Sequence, residues 1–341
     1  MSLPPHSVAT ESVIAVRDGR IGRITLNRPK VLNALDLEML RSVGRALAEW
    51  RDDPHVHGVV IEGAGERAFC AGGDIRAIRQ LSLDGDRVGV ETFFAEEYAL
   101  NLAIAEYPKP YIALVDGICM GGGIGVSVHG AYRVASEHAM FAMPETAIGF
   151  FPDVGASFFL PRLPGAIGLY LGLTGTRVLG ADAVHVGFAT QFTPRARMAE
   201  LSAALAQDGP AALGRFAETL PPGAQAADRA AIDHCFSAGG VPEILTRLEE
   251  TPGNWAQTTL ATLRGMSPSA LLWSFRIIAE GADRTLPQCL VAELALTRAT
   301  TRNSEFLEGV RAMVVDKDRQ PKWQPARMEA VDLAAIAAMF D

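Results

Sequence analysis

Gly121-Gly122-Gly123-Ile124-Gly125 follows a strand-like run at 111–115 and is itself followed by Pro144-Glu145 and then Pro152-Asp153-Val154-Gly155. Glycines lack a Cβ, so a run of them lets a substrate come close to the main chain. Where such a run opens a helix, its N–H groups face any negative charge that develops there. Exposed amides of this kind build an oxyanion hole, and Glu145 and Asp153 supply two candidate catalytic carboxylates after it. Taken alone, residues 121–125 read equally well as a turn between a strand and a helix.

A second segment adds to the first. Ala68-Phe69-Cys70-Ala71-Gly72-Gly73-Asp74-Ile75 follows the strand-like run 58–62 and leads into a short helical pattern, offering a second backbone donor. With Asp116-Gly117-Ile118-Cys119-Met120 before the glycine run and Met143-Pro144-Glu145 after it, the chain resembles the crotonase (enoyl-CoA hydratase/isomerase) superfamily. The resemblance implies two peptide N–H groups holding the thioester oxygen of an acyl-CoA, and these map to Gly73 and Gly122. It also implies a substrate-binding set made of Glu97, Lys30, Val31, Ala71, Asp74 and Ile75. Lys30 and Arg28 are the cations expected to face the anionic CoA.

One departure from that pattern is informative. A hydratase of this superfamily carries a glutamate two residues after the glycine triplet, and this chain has Gly125 there. Without that carboxylate, syn hydration of a double bond loses half of its acid/base pair. The run from Met143 through Gly149, Phe150, Phe151, Pro152 and Asp153 to Arg162 is instead similar to the 3-hydroxyisobutyryl-CoA hydrolase branch. So are Phe93-Phe94-Ala95-Glu96-Glu97-Tyr98, Ser267-Pro268-Ser269, Glu308-Gly309-Val310-Arg311-Ala312, Asp316-Lys317-Asp318 and Pro321-Lys322-Trp323. That branch implies hydrolysis of a short branched β-hydroxyacyl-CoA, 3-hydroxyisobutyryl-CoA of valine catabolism, with Glu145 and Asp153 catalytic and Glu97 a further acid. It implies no metal and no cofactor beyond the CoA of the substrate. Two alternatives stand beside it: an enoyl-CoA hydratase/isomerase using Glu145, and a non-catalytic acyl-CoA-binding member, which would not need all three carboxylates.

Composition sets wider limits. The 341 residues are 49% hydrophobic and 21% charged, ordinary for a globular chain, and are enough for one large domain with an appendage or for two modest ones. A net charge of −8 with no basic stripe argues against a nucleic-acid partner. Met1–His6 shows no basic region leading into an apolar one, and no apolar run reaches the roughly 20 residues of a bilayer span, so neither a secretory signal nor a membrane partner is expected. Cys70, Cys119, Cys235 and Cys289 are scattered without CxxC spacing, which predicts reduced thiols and a cytoplasmic location. The resemblance leaves a homo-oligomer, such as a trimer, as the expected self-association.

Hydrophobic patterning orders the chain. Runs at 12–16 and 21–27 flank the turn pair Asp18-Gly19, and 36–50 carries Leu37, Leu40, Val43, Leu47 and Trp50 at helical spacing. A strand is expected at 58–62, a longer helix at about 87–106 and a strand at 111–115. Periodicity alone says α/β. The resemblance makes this a crotonase-like spiral of ββα repeats over residues 1–200, the acyl-CoA-binding core, with a mainly helical C-terminal region over 201–341. In that second region alanine-rich helical stretches at 199–205 and 224–236 alternate with Asp208-Gly209-Pro210 and Leu220-Pro221-Pro222-Gly223, and Ser267-Pro268 is a helix start.

Rival motifs fail on spacing. The glycine run lacks the GxGxxG order of a dinucleotide site, and no GK[ST] follows it. Ser127 lies in Gly125-Val126-Ser127-Val128-His129, where a nucleophile elbow needs a second glycine in place of His129, so His129 reads as a packed or hydrogen-bonded histidine. His55 and His57 share one side of an extended segment but lack a third metal ligand. Glu145 and Asp153 also have a plain reading as helix caps; the glycine motifs favour catalysis over it.

Overall fold

The computed structural model describes residues 7–9, 11–220, 223 and 228–340. They form two compact units, each assembled from separate stretches of chain: residues 1–73, 99–141 and 178–223 in the first, and 74–98, 142–177 and 224–341 in the second.

The first unit holds both sheets. In the larger one, Ser7–Ala9, Val13–Asp18, Ile21–Leu26, Gly58–Gly63, Tyr111–Val115, Tyr132–Ala135 and Gln191–Phe192 lie side by side in that order. The hairpin turns through Gly19-Arg20, one residue later than the expected pair Asp18-Gly19, because Asp18 still pairs with Ile21, and Gly19 takes the left-handed φ of 59° that this turn requires. From Ile21–Leu26 onward each neighbour is parallel. Such strands are covered on both faces, which is why Tyr111–Val115 is buried throughout. The smaller sheet runs Val178–Leu179, Met140–Ala142, Ile118–Met120, Ala68–Cys70.

Helices complete the core of this unit. Leu37–Trp50 starts on Asp36, whose carboxylate accepts the Met39 N–H at 2.9 Å, and it buries the stripe Met39, Leu40, Val43, Ala46, Leu47 and Trp50. A Cβ on Gly22 would lie 2.1 Å from the Trp50 ring, so the indole packs directly onto the strand backbone only because residue 22 is glycine. Leu201 and Leu205 of the helix Arg195–Asp208, with Leu213 and Phe216 of the 3-10 segment Gly209–Phe216, cover Ile21, Val60, Ile112, Leu114 and Val134. Residue 200 therefore falls inside a helix whose apolar face closes the sheet. Residues 201–216, which composition groups with the helical C-terminal region, pack in the sheet-bearing unit.

The second unit is built of helices and turns, including Ile75–Leu83, Ile167–Thr174, Arg229–Phe236, Val241–Glu250, Asn254–Gly265, Pro268–Gly281, Leu286–Thr300 and Ser304–Val310. Ser267 is the expected cap of Pro268–Gly281: its hydroxyl accepts from the Ala270 N–H at 3.0 Å, and Pro268 takes the first helical position. Buried Trp273 on that helix donates its Nε1–H to the Phe150 carbonyl at 3.2 Å. Within the helix expected at 224–236, Arg229–Phe236 is helical. Residues 224–227, the Pro221-Pro222 breaker and the segment Met1–His6 lie outside the described residues. The long helix expected at 87–106 runs Arg87–Ala105. Among the described residues, no helix is long and apolar enough to cross a membrane.

Candidate active site

The two expected amide donors lie on adjoining segments of the first unit. Gly73 pairs with Leu35 as a parallel bridge in which the Leu35 N–H donates to the Gly72 carbonyl at 2.8 Å. In such a bridge the flanking peptides make the hydrogen bonds, so the N–H of Gly73 points to the opposite side. Gly122 is the first residue of the helix Gly122–Val128. The Gly121 carbonyl before it accepts from Ile124 and Gly125, at 2.8 and 3.1 Å. The Gly122 N–H is among those a helix start leaves without an intrahelical acceptor. The segments are close: a Cβ on Gly72, which has φ of 104°, would lie 3.5 Å from the Gly122 nitrogen. A Cβ on Gly123 would lie 2.3 Å from the Cys70 carbonyl oxygen. Glycine at 72 and 123 thus brings helix and strand end together, and this places the donors of residues 73 and 122 in one neighbourhood.

The segment bearing Lys30 and Val31 reaches the same place. Both are exposed on the 3-10 turn Pro29–Val31. The chain beyond runs beside Ala71, whose N–H donates to the Leu32 carbonyl at 3.0 Å. Buried Asn33, which motif reading passed over, ties the two strands of chain together. Its amide donates to the carbonyls of Ala64, Ala68 and Phe69, and its carbonyl accepts the Arg28 N–H. Arg28 donates to the Ala34 carbonyl and pairs with Asp36 at 3.2 Å, a structural occupation that leaves Lys30 as the exposed cation of the expected pair. Asp74 caps the helix Ile75–Leu83 by accepting the Ala77 N–H, with Ile75 as the first helical residue.

The carboxylates gather within the second unit. Glu97, Glu145 and Asp153 are 2%, 6% and 5% exposed, far below what unpaired acids tolerate. Burial pushes all three upward. Glu97 is raised further by Asp153, and Glu145 by Asp153 and Glu97. Asp153 is pushed up to about 7, with the Tyr98 hydroxyl, donating at 2.7 Å, pulling against burial. Like charges in a low-dielectric site cannot all be ionised at once, so near neutral pH the group shares protons. Among the described residues, Glu97 Oε1 and Glu145 Oε2 have no hydrogen-bond partner.

Glu145 opens the 3-10 turn Glu145–Ile148, and residues of the C-terminal motifs hold it. Gly149 closes the turn at φ 67°, where a Cβ would strike the Glu305 carbonyl at 2.3 Å, and a Cβ on Gly309 would strike Ile148 equally closely. The Ser267 N–H donates to the Thr146 carbonyl, and the Ser267 hydroxyl donates to Glu305. Arg311 clamps Glu308, Asp316 and Asp318, each at 2.7 Å, which anchors the segment that bears Gly309. Phe150 and Phe151 are buried, with Phe150 stacked on Phe94 and packed against Phe306.

A fourth buried acid, Glu293, was not singled out from sequence. It is fully buried on Leu286–Thr300 and accepts from the N–H groups of Gly155 and Ser157. The available signal was a single acid in the apolar run Leu290-Val291-Ala292-Glu293-Leu294-Ala295-Leu296.

The rival sites resolve simply. Ser127 lies mid-helix, 1% exposed, with its hydroxyl against the Gly123 and Ile124 carbonyls, so it is no nucleophile. His129 is the C-terminal cap of the same helix. His55 and His57 are exposed, and among the described residues no cluster of three metal-ligating side chains occurs. All four cysteines are buried and none is in a disulfide.

Comparison with known proteins gives the same assignment. The model of the enoyl-CoA hydratase/isomerase family matches residues 21–340. The 3-hydroxyisobutyryl-CoA hydrolase of Xenopus laevis is 44% identical, over 98% of this chain and 90% of its own; the human enzyme is 42% identical, over 97% and 89%. A solved carnitinyl-CoA dehydratase from Mycobacterium thermoresistibile superposes with a TM-score of 0.93 at 38% identity, covering 97% of both chains. An enoyl-CoA hydratase from Rhodobacter sphaeroides does so at 0.89 and 40%, covering 96% of this chain and 97% of its own. The chain has the crotonase fold and belongs to the enoyl-CoA hydratase/isomerase family, in its 3-hydroxyisobutyryl-CoA hydrolase branch.

Proposed function

We propose that this protein hydrolyses the thioester of a short branched β-hydroxyacyl-CoA, 3-hydroxyisobutyryl-CoA in valine catabolism, releasing the hydroxy acid and CoA. The observation that carries the reading is the buried trio Glu97, Glu145 and Asp153, two of whose oxygens lack a hydrogen-bond partner among the described residues, together with glycine at position 125. In the mechanism we propose, the Gly73 and Gly122 amides polarise the thioester carbonyl. Glu145 acts on its carbon, as the nucleophile or as the base for water. Asp153, held by Tyr98, accepts the β-hydroxyl and assists proton transfer to the leaving thiolate. Glu97 completes the polar lining. Lys30, Val31, Ala71, Asp74 and Ile75 contact the acyl-CoA. No metal or redox group enters these steps, and CoA is part of the substrate. Self-association into a homo-oligomer and a reducing compartment, the cytoplasm, belong to the same reading. Four buried cysteines outside any disulfide support the latter.

Two of the relatives with solved structures carry dehydratase or hydratase names, and the site separates that chemistry from hydrolysis. A pocket built to hydrogen-bond a β-hydroxyl rejects acyl groups without one, because its own acid is then left unpaired. The β-hydroxyacyl thioester is therefore expected to exceed the matching saturated one in kcat/KM by about 10²-fold or more, and Asp153→Ala to erase most of that ratio. Equal kcat/KM for both substrates in the wild type would contradict the assignment of Asp153.

A further inference from the structure

Asp153 stands at a strained turn. Val154, a β-branched residue, has φ of 53° and Gly155 has φ of 83°, before the short helix Ala156–Phe159 begins. Valine enters this region only where its surroundings over-determine the backbone. The Ala156 N–H turns back to the Asp153 carbonyl at 2.9 Å, and a further restraint comes from the helix Leu286–Thr300. Glu293 on that helix accepts three hydrogen bonds from the turn: the Gly155 N–H at 2.7 Å, the Ser157 N–H at 2.9 Å and the Ser157 hydroxyl at 2.5 Å. One helical turn further on, and so on the same face, Thr297 Oγ1 lies 3.0 Å from the Tyr98 hydroxyl, which donates to Asp153 Oδ2.

We infer that Glu293 and Thr297 are positioning residues for Asp153: Glu293 fixes the backbone of the turn that carries it, and Thr297 aims the Tyr98 hydroxyl that holds its carboxylate. Neither touches substrate in the mechanism proposed above, and the inference rests on that reading of Asp153. A buried acid is a costly way to hold a loop, which fits a role in placing Asp153 better than one in stability alone. The titratable groups facing Asp153 are Glu97 and Tyr98 on the helix Arg87–Ala105, Glu145 on its 3-10 turn, and Glu293, itself pushed up to about 8 by burial against its three hydrogen bonds.

The test uses full-length enzyme and 3-hydroxyisobutyryl-CoA, measuring kcat, KM and the pH profile of kcat for wild type, Glu293→Gln, Glu293→Asp, Thr297→Val, Tyr98→Phe and Asp153→Asn. The limb that vanishes in Asp153→Asn reports Asp153. Glu293→Gln is expected to lower kcat by about 10- to 100-fold, with KM changed less than about threefold, since misplacing a catalytic group acts on turnover. Glu293, pushed up to about 8, still holds its proton where Asp153 titrates, so the limb stays near its wild-type position while kcat falls. Tyr98→Phe removes a donor to the carboxylate, so the limb moves to higher pH, and Thr297→Val follows in the same direction by less. Glu293→Asp, a carboxyl of shorter reach, also keeps the limb near its wild-type position while kcat stays low. Should Glu293→Gln fail to fold, the limbs of Tyr98→Phe and Thr297→Val decide. Normal kcat in Glu293→Gln together with unmoved limbs in Tyr98→Phe and Thr297→Val, whatever their melting temperatures, overturns the inference while Asp153→Asn remains impaired. Normal activity of Asp153→Asn instead overturns the role of Asp153 itself.

Discussion

Glu145→Gln is expected to lower kcat for thioester hydrolysis by about 100-fold at least, and further if the carboxylate is the nucleophile, with KM nearly unchanged. The amide fills the same space on the 3-10 turn but neither attacks a carbonyl nor takes a proton. Burial, then Asp153 and Glu97, raise the Glu145 carboxyl well above the ordinary range. A carboxyl raised in the folded state binds its proton more tightly there than in the unfolded chain. Its contribution to stability is therefore complete below the unfolded value and is lost as pH rises toward the folded one. The same sign holds for Glu97 and for Asp153 at about 7. Glu145→Gln removes one such group, so its melting temperature should match that of the wild type near pH 4 and exceed it near pH 8. A variant keeping more than about a tenth of wild-type kcat would remove Glu145 from the mechanism.

Gly122→Pro carries the second large effect. Proline deletes the N–H outright, yet the first position of a helix is where it is best tolerated, so the helix Gly122–Val128 need not be lost. Loss of one oxyanion donor typically costs about 2.7–4 kcal/mol of transition-state stabilisation, about 10²- to 10³-fold in kcat. A thermal melt establishes that the variant is folded, and steady-state kinetics reads the rate. A folded Gly122→Pro enzyme turning over normally would show that the amide at residue 122 does not hold the thioester oxygen.

Much of this architecture is legible in the sequence because its signals are local. The stripe from Met39 to Trp50 with its Asp36 cap, the hairpin around Gly19 and the Ser267-Pro268 start are each set by neighbours within a few residues. The smaller sheet is different: its strands are two or three residues long, too short for alternation to register, and they exist because glycines such as Gly123 let the chain approach Cys70. A boundary near 200 follows from alanine content, but composition is blind to the side on which a helix lies, and Leu201 and Leu205 turn that helix toward the sheet.

The candidate residues divide in the same way. Glu97, Glu145 and Asp153 follow from motif order, and in the structure they share one buried cluster. Glu293 lies 140 residues beyond Asp153 and makes its contacts through backbone amides of Gly155 and Ser157, which leave no mark on residue type. Glu308 and Arg311 were legible as a motif, while their role in anchoring Gly309 against Ile148 is visible only in three dimensions.

The central claim, hydrolysis in place of hydration, is tested most directly by supplying wild-type enzyme with 3-hydroxyisobutyryl-CoA and with crotonyl-CoA, following free thiol and enoyl-thioester absorbance together. With Gly125 where a hydratase has its second glutamate, 3-hydroxyisobutyryl-CoA should release one thiol for each thioester consumed, and the crotonyl-CoA absorbance should barely fall. Rapid loss of crotonyl-CoA absorbance, with no thiol released from either substrate, would contradict it.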